Sequence, residues 1–444
     1  MFDIPFITRS LARNIVDKRK QHPFKHVAEL KQVEGVTEDL FQAIQPYFRI
    51  HTASSRFSLR LEQRAAAIAH KARGYLNGVY GNRIALRQRF KISWDNQTNL
   101  LLQSEKDAGE RNWLDHVSGS LQLQNGKKLM LLLGDYYAVF GHGLVAAGAY
   151  GKRLAASGGV TSLIPTVIRL RGKSGADEVS FLRGAACVLS PSERLQMFIA
   201  VSSRQLDGVL TEDSTAIKRL DVSGLHRTET EVARLNLQKE TLLQTGIALQ
   251  FEKASVGVLW QRNKYQKPLQ VVAGSYFGGN SFSATFKYHN KSMITSLETA
   301  IAPVGTAVLG TLVFPSHPLN YGISAFHYTN RYFAPHGKQL GSFSDSPMNR
   351  HGVELLTGLR LPGRMKLSLR AGASAPIKAA ADFPLISRRT DILLQKSGKK
   401  IDVIFRYSAR FSGESALIRS ELHKRYRWRA EWRYRPEKAL QVRQ

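Results

Sequence analysis

The stretch "RYRWRAEWRYR", Arg425 to Arg435, decides how the chain is read. A helix turns about 100° per residue and would scatter Arg425, Arg427, Arg429, Arg433 and Arg435 around its circumference. A strand alternates its side chains, which places Tyr426, Trp428, Ala430, Trp432 and Tyr434 on one face and the arginines with Glu431 on the other. Two environments suit such a strand. In a soluble sheet the aromatic face meets a core and the arginines meet water; in a transmembrane barrel the aromatics face lipid and the arginines a wet lumen.

The same period of two recurs from Arg56 onward, in "RFSLRLE", "RIALRQRFKISW", "SFSATFKYH", "RMKLSLRA" and "IDVIFRYSARF". In "SFSATFKYH" Phe282, Ala284, Phe286 and Tyr288 oppose Ser281, Ser283, Thr285, Lys287 and His289. Clusters such as "YGN", "HNKS", "LPG", "KSGKK" and "FSGES" separate the segments. About 16 to 20 candidate strands result, more than a twisted open sheet tolerates, so closure into a barrel is expected. Many reach roughly 9 to 12 residues, the length that crosses a bilayer at a tilt of about 45°. The predicted fold class is mainly β: a large antiparallel up-and-down barrel of transmembrane type over residues 56–444, incomplete as written, behind a small all-α domain. In "TETEVARLNLQKET" Thr228 and Glu231 have capping-box spacing, which predicts a helix near 228–241, either within a loop or as a plug.

Residues 1–51 form the all-α domain. "TRSLARNIVDKRKQ" puts Leu11, Ala12 and Ile15 on one side, "FKHVAELKQV" follows, and "TEDLFQAIQPYF" closes with Leu40, Phe41, Ile44 and Phe48.

Composition constrains function. With 64 Lys+Arg against 34 Asp+Glu the formal charge is +30, which attracts polyanions: nucleic acid, acidic lipid headgroups or lipopolysaccharide. One cysteine, Cys187, excludes an internal disulfide and a cysteine-based zinc site, and reads as a small apolar residue in a strand. "MFDIPFITRS" has no basic segment followed by an apolar run, so no secretory signal is visible. Leu129 to Tyr150 is apolar enough to suggest a membrane helix, but Gly134, Asp135, Gly141, His142 and Gly143 interrupt it. "GHGLVAAG" has the wrong spacing for a nucleotide loop, His142 reads as a polar bend residue, and neither H-E-x-x-H nor G-x-S-x-G occurs. No enzymatic activity, cofactor or metal is expected.

Residues 6–50, "FITRSLARNIVDKRKQHPFKHVAELKQVEGVTEDLFQAIQPYFRI", resemble a ComEA-type helix-hairpin-helix domain. Gly35 is kept in the second hairpin, and Thr37 stands where a second glycine is usual. The resemblance implies non-specific DNA binding, with the hairpin amides of Gly35, Val36 and Thr37 and the side chains of Arg9, Arg13, Lys18, Arg19, Lys20 and Lys25 as phosphate contacts. Met1 to Ile50 carries 8 Lys+Arg against 6 Asp+Glu, so nearly all of the +30 lies in the β-rich body.

"LLLGDYYAVFGHGLVAAGAYGKR", then "EVSFLRGAACVLS" and "LQMFIAVSSRQLDG", is similar to the large helix-hairpin-helix outer-membrane β-barrel proteins of Bacteroidetes and Chlorobi type. Gly134, Asp135, Tyr136, Gly141, Gly143, Arg183 and Gly184 occupy that group's motif positions, as do Phe140, Leu144, Glu178, Ala185 and Asp207. The resemblance implies a bacterial outer-membrane protein with a periplasmic head, a role in DNA handling at the envelope, and lipid or lipopolysaccharide around the barrel. Members usually start with a signal peptide and continue for several more strands, so the chain is expected to be truncated at both ends. Two further readings stand beside it: an intracellular basic DNA-binding protein with a β-rich body, and a porin-like barrel whose head docks a periplasmic protein partner.

Overall fold

The computed structural model describes residues 7–437 and 440–443, apart from 23, 25, 49–56, 68–77, 96, 148–159, 176, 272–273, 317, 338–348, 378–385, 399–400 and 414–421. The head is α1 (Arg9–Gln21), a 3-10 turn (Val27–Gln32), α2 (Glu38–Ile44) and a second 3-10 turn (Gln45–Tyr47). Thr8 and Thr37 cap α1 and α2, their side chains accepting from Leu11 N and Leu40 N. Leu11, Ala12 and Ile15 of α1 pack on Leu30, Val33, Phe41 and Ile44.

Among the described residues twenty-two strands form one sheet. In order they are β1 (Phe57–Ala67), β2 (Ile84–Trp94), β3 (Thr98–Lys106), β4 (His116–Asn125), β5 (Leu129–Gly141), β6 (Thr166–Gly172), β7 (Leu182–Leu189) and β8 (Leu195–Leu206). Then come β9 (Gly208–Leu210), β10 (Ile217–Leu220), β11 (Gln238–Gln250), β12 (Ala254–Val271), β13 (Gly274–His289), β14 (Ile294–Ile301) and β15 (Thr306–Phe314). The series ends with β16 (Leu319–Tyr328), β17 (Arg350–Leu361), β18 (Met365–Pro376), β19 (Ser387–Ser397), β20 (Ile401–Gly413), β21 (Leu422–Glu437) and β22 (Leu440–Arg443). Neighbours pair antiparallel, with β7 taking the place beside β5 and β11 the place beside β8, except for a single parallel contact of β10 with β12 at Ile217 and Leu269. Among the described residues no pairing joins β1 to β21 or β22, so hydrogen bonds do not close the sheet. The strand number exceeds the expected 16 to 20 because β9, β10 and β22, of three or four residues, are too short to show a period.

The two faces are inverted relative to a soluble sheet. Inward positions bury polar and charged groups such as Glu240, Gln244, Gln261, Glu298 and Glu354, while outward Leu249, Val258, Phe282, Phe286 and Ile301 are exposed. In β21 Trp428 is 75% and Trp432 46% exposed, whereas Glu431 on the opposite face is 3% exposed, between Arg429 and Arg433 at 3.1 and 2.7 Å. An apolar outside around a polar inside is the pattern of a transmembrane-type barrel. Buried inward charges are held by polar partners, as that burial demands: Arg204 pairs with Glu240 and Arg370 with Glu354, while Arg350 donates to Ser374 and Ser387.

Connections at one end are short: 126–128, 190–194, 251–253, 290–293 and 362–364. The other end carries long ones, including 207–237 and 329–349. The helix expected near 228–241 needs correction. It is one turn, α3 (Glu229–Val232), with the capping box of Thr228 and Glu231 formed; from Gln238 the alternating sequence continues as β11. A capping box marks a start, not a length. Tyr80 N donates to Arg227 O beside α3, which ties this turn to the long-connection end. A different segment plugs the lumen.

Candidate functional site

The head's hairpin turns at Gly35, φ +89°, and delivers Thr37 to the start of α2. Asn14 Nδ2 donates to Glu34 O at 3.2 Å, which fixes the turn against α1. Gly35 and Thr37 are exposed and Val36 half-buried; Val36 N is already bonded to Val33 O. Arg13 and Arg19 are exposed on α1, and Lys18 is half-buried. Arg9 and Lys20 lie on α1 with side chains outside the described residues, and Lys25 lies outside them altogether. Glu34, Glu38 and Asp39 flank the hairpin, and Lys31 bridges Glu38 at 2.8 Å. Fixed negative charge there opposes phosphate, so the cations of α1 are the stronger anion-attracting feature.

The head's core does not end at the head. Ile15, Phe41 and Ile44 share one cluster with Ile294, Val313 and Leu356, inward residues of β14, β15 and β17, and with Val160 and Leu163 of the connection after β5. Arg360 of β17 donates to Gln42 Oε1 and Gln42 O, both at 3.0 Å. These contacts lie near the short connections, so the head is seated in that mouth. Arg360→Ala removes two charge-assisted bonds, about 1–2 kcal/mol at a half-buried site. Limited proteolysis of the folded protein is expected to release the head several-fold faster, with the barrel unaffected; equal release rates would show that the pair does not hold it.

The second motif builds the plug. β5 pairs with β4 only up to Gly134, opposite Ser120, then leaves it; residues 136–141 pair with β6 instead. Gly134 sits at φ +92°, and a Cβ there would lie 2.2 Å from Gly119 O, so the turn inward requires glycine. Beyond it Tyr136, Ala138 and Phe140 with Val167 and Leu170 of β6 join a core that includes Phe198, Leu259, Leu309 and Phe326 from the barrel's inner wall. Where β5 departs, Asp135 and Arg183 fill the fork. Arg183 Nε donates to Asp135 Oδ1 at 2.7 Å, and its Nη2 reaches Val117 O of β4 at 2.9 Å. Tyr136 OH donates to Val201 O at 2.7 Å, and Gly184 pairs with Gly134 across β7. The tip is anchored by Glu298 of β14. Its carboxylate accepts from His142 N, from Gly143 N at 3.0 Å, Leu144 N at 3.1 Å and Ser283 Oγ at 2.7 Å. Gly141 and Gly143, φ +57° and +87°, let three successive amides converge on one anion, a backbone nest. These motif residues therefore have a structural role in folding the plug.

At the long-connection end the arrangement is ionic. His226 Nδ1 contacts Asp115 Oδ2 at 2.5 Å and Nε2 contacts Asp207 Oδ2 at 2.9 Å. Hydrogen bonds to Asp115 and Asp207 push the imidazole up to about 10 against the opposing effect of burial. Nearby Glu178 is pushed up to about 8 by burial, reinforced by Glu110 and other acids. Glu110, Asp115 and His226 bring one donor atom each within 4.8 Å of one another, a metal-like grouping. Both nitrogens of His226 are already engaged by carboxylates, so the grouping is satisfied as an ion-paired imidazolium. Both shifts are upward, so their stabilisation is full below the ordinary values and fades as pH rises: through about 8 for Glu178 and about 10 for His226. Protease cutting in 207–237 is expected to accelerate from pH 7 to above 10, and to be fast and nearly pH-independent in His226→Leu. A flat wild-type profile would contradict this.

Sequence reasoning missed Glu298. An acid at an inward position of "ITSLETAI" was a visible signal, but its partners lie about 155 residues earlier.

Several solved structures are similar to this chain at low sequence identity. They include Pseudomonas aeruginosa OccK11 (OpdR), at 11% identity over 79% of this chain and 88% of that one, TM-score 0.44. OpdQ of the same organism matches at 9% identity over 79% and 88%, TM-score 0.45. Wzi of Escherichia coli, an outer-membrane protein involved in group 1 capsule assembly and a carbohydrate-binding β-barrel, matches at 11% identity over 95% and 93%, TM-score 0.44. Comparison with curated proteins finds no relative. At the amino-terminal end, where the two capped helices and the Gly35 turn lie, residues 1–49 match the family model of the helix-hairpin-helix motif.

Proposed function

We propose that the protein is a non-enzymatic β-barrel of the bacterial outer membrane, and that its head binds the DNA backbone without sequence specificity. The observation that carries the reading is the inverted sheet: tryptophans and aliphatic side chains exposed on one face, ion pairs and glutamines buried on the other. Lipid stabilises the first face, and an aqueous or plugged lumen the second. Short connections mark the periplasmic end of such barrels. The head occupies that mouth, with Arg13, Lys18 and Arg19 of α1 as its phosphate contacts. A second use of the head, as a stopper, is favoured by Arg360 and the core shared with β14, β15 and β17.

Two measurements test the proposal. The expressed chain should fractionate with the outer membrane and migrate faster unheated than boiled. Folded in detergent, it should bind duplex DNA with an affinity that falls steeply with salt, and Lys18→Gln with Arg19→Gln should weaken that binding. A water-soluble native monomer would refute the first half. Duplex affinity that is absent at every salt concentration, or indifferent to these substitutions, would refute the second.

A further inference from the structure

We propose a second anion site on the inward face of β19–β21: an arginine track that binds the phosphodiester backbone of a single nucleic-acid strand. It rests on the reading of the protein as a DNA-handling barrel.

The register sets cations side by side. Arg389 pairs with Arg410, and Arg410 with Arg425, so three arginines stand abreast across three strands. Two residues along, Ser408 faces Arg427; two further, Arg406 faces Arg429. Like charges directly opposite one another destabilise a sheet. Acids on this face are few, and they are taken. Asp391 holds Arg389, and Glu431 holds both Arg429 and Arg433. Among the described residues Arg406, Arg425 and Arg427 make no ion pair, and all three are exposed. A repulsive cost without internal compensation is what an external anion would relieve.

The track faces the same space as the head. Leu356, on which the head packs, pairs with Arg370, Arg370 with Asp391, Asp391 with Ser408 and Ser408 with Arg427, so all lie on one side of the sheet. Alternate residues of a strand are about 6.8 Å apart. That is roughly twice the ~3.4 Å charge spacing per strand along a duplex axis, so the track suits a strand drawn out of the helix. Guanidinium groups bind phosphate bidentately. Tyr426, Trp428 and Trp432 are on the opposite, outward face and cannot stack on bases here, which leaves recognition to the backbone and makes it indifferent to sequence.

The test uses the full chain folded in detergent and labelled oligothymidylate. Arg406→Gln, Arg425→Gln and Arg427→Gln together should weaken binding at low salt by at least about tenfold. They should also flatten the slope of log K against log salt by about 2, since each phosphate contact on a single strand contributes about 0.7. The same three positions changed to Lys should keep the slope, and retained heat-dependent mobility shows that each variant folds. An unchanged slope in the Gln variant overturns the track. So does binding of inorganic polyphosphate without binding of oligothymidylate. The Lys18→Gln, Arg19→Gln head variant should lose duplex affinity and keep single-strand affinity. If it keeps both while the track variant loses the second, the head's role fails and the track stands.

Discussion

Glu298→Ala is expected to free the plug. One carboxylate collects three backbone amides and the Ser283 hydroxyl, and Glu298 itself is fully buried. Removing it leaves donors with no acceptor in a site that excludes water, at about 1–3 kcal/mol each. Some of that is recovered as the tip moves, and a net loss of about 3–5 kcal/mol is the expected order. The heat-dependent mobility shift should occur at clearly lower temperature, and, once proteolysis has removed the head, the lumen should conduct ions in planar bilayers where the wild type so treated does not. Glu298→Gln keeps one acceptor oxygen but turns an amide group toward other donors, so it should fall between. Identical melting and conductance in the Ala variant would mean that the nest is ornamental and that the apolar core alone seats the plug.

Gly134→Val should prevent recovery of a folded barrel. Two costs add at this position: a left-handed backbone, and a side chain driven into the carbonyl of Gly119, 2.2 Å from the new Cβ. Gly126 separates them, because its φ is +53° and a Cβ there meets nothing within 4 Å. Gly126→Ala should therefore cost only about 1 kcal/mol, whereas Gly134→Ala should cost several times that, read as the denaturant midpoint of the mobility shift. Equal midpoints would show that β5 relaxes away from β4 and that the fork is soft.

Much of the wall was legible because alternation is a local property. Trp428 and Trp432 fall outward and Glu431 inward as a period of two requires. The motif from Gly134 to Gly143 could be found by resemblance, yet its role could not be read, because Glu298 enters from β14 and Arg183 from β7. Inward Ile294, Val313 and Leu356 look like any other inward residues in sequence; only the fold shows that they carry the head. The α3 region was overextended for a local reason as well. Thr228 and Glu231 specify how a helix begins, whereas the residue that ends the turn, Asn236 at φ +56°, is a weaker stop signal than glycine. The hairpin cations were identifiable by type, while the acidic flank of Gly35 and the seat against Arg360 set how many of them can meet a ligand.

The seat of the head also constrains the order of assembly. Gln42 and Arg360 are 318 residues apart in the chain, and contacts that distant form late because a long loop must close first. The amino-terminal helices are made first and can take their place only after β14 to β17 have come together. A nascent molecule therefore passes through a stage in which the wall exists and the mouth is unobstructed.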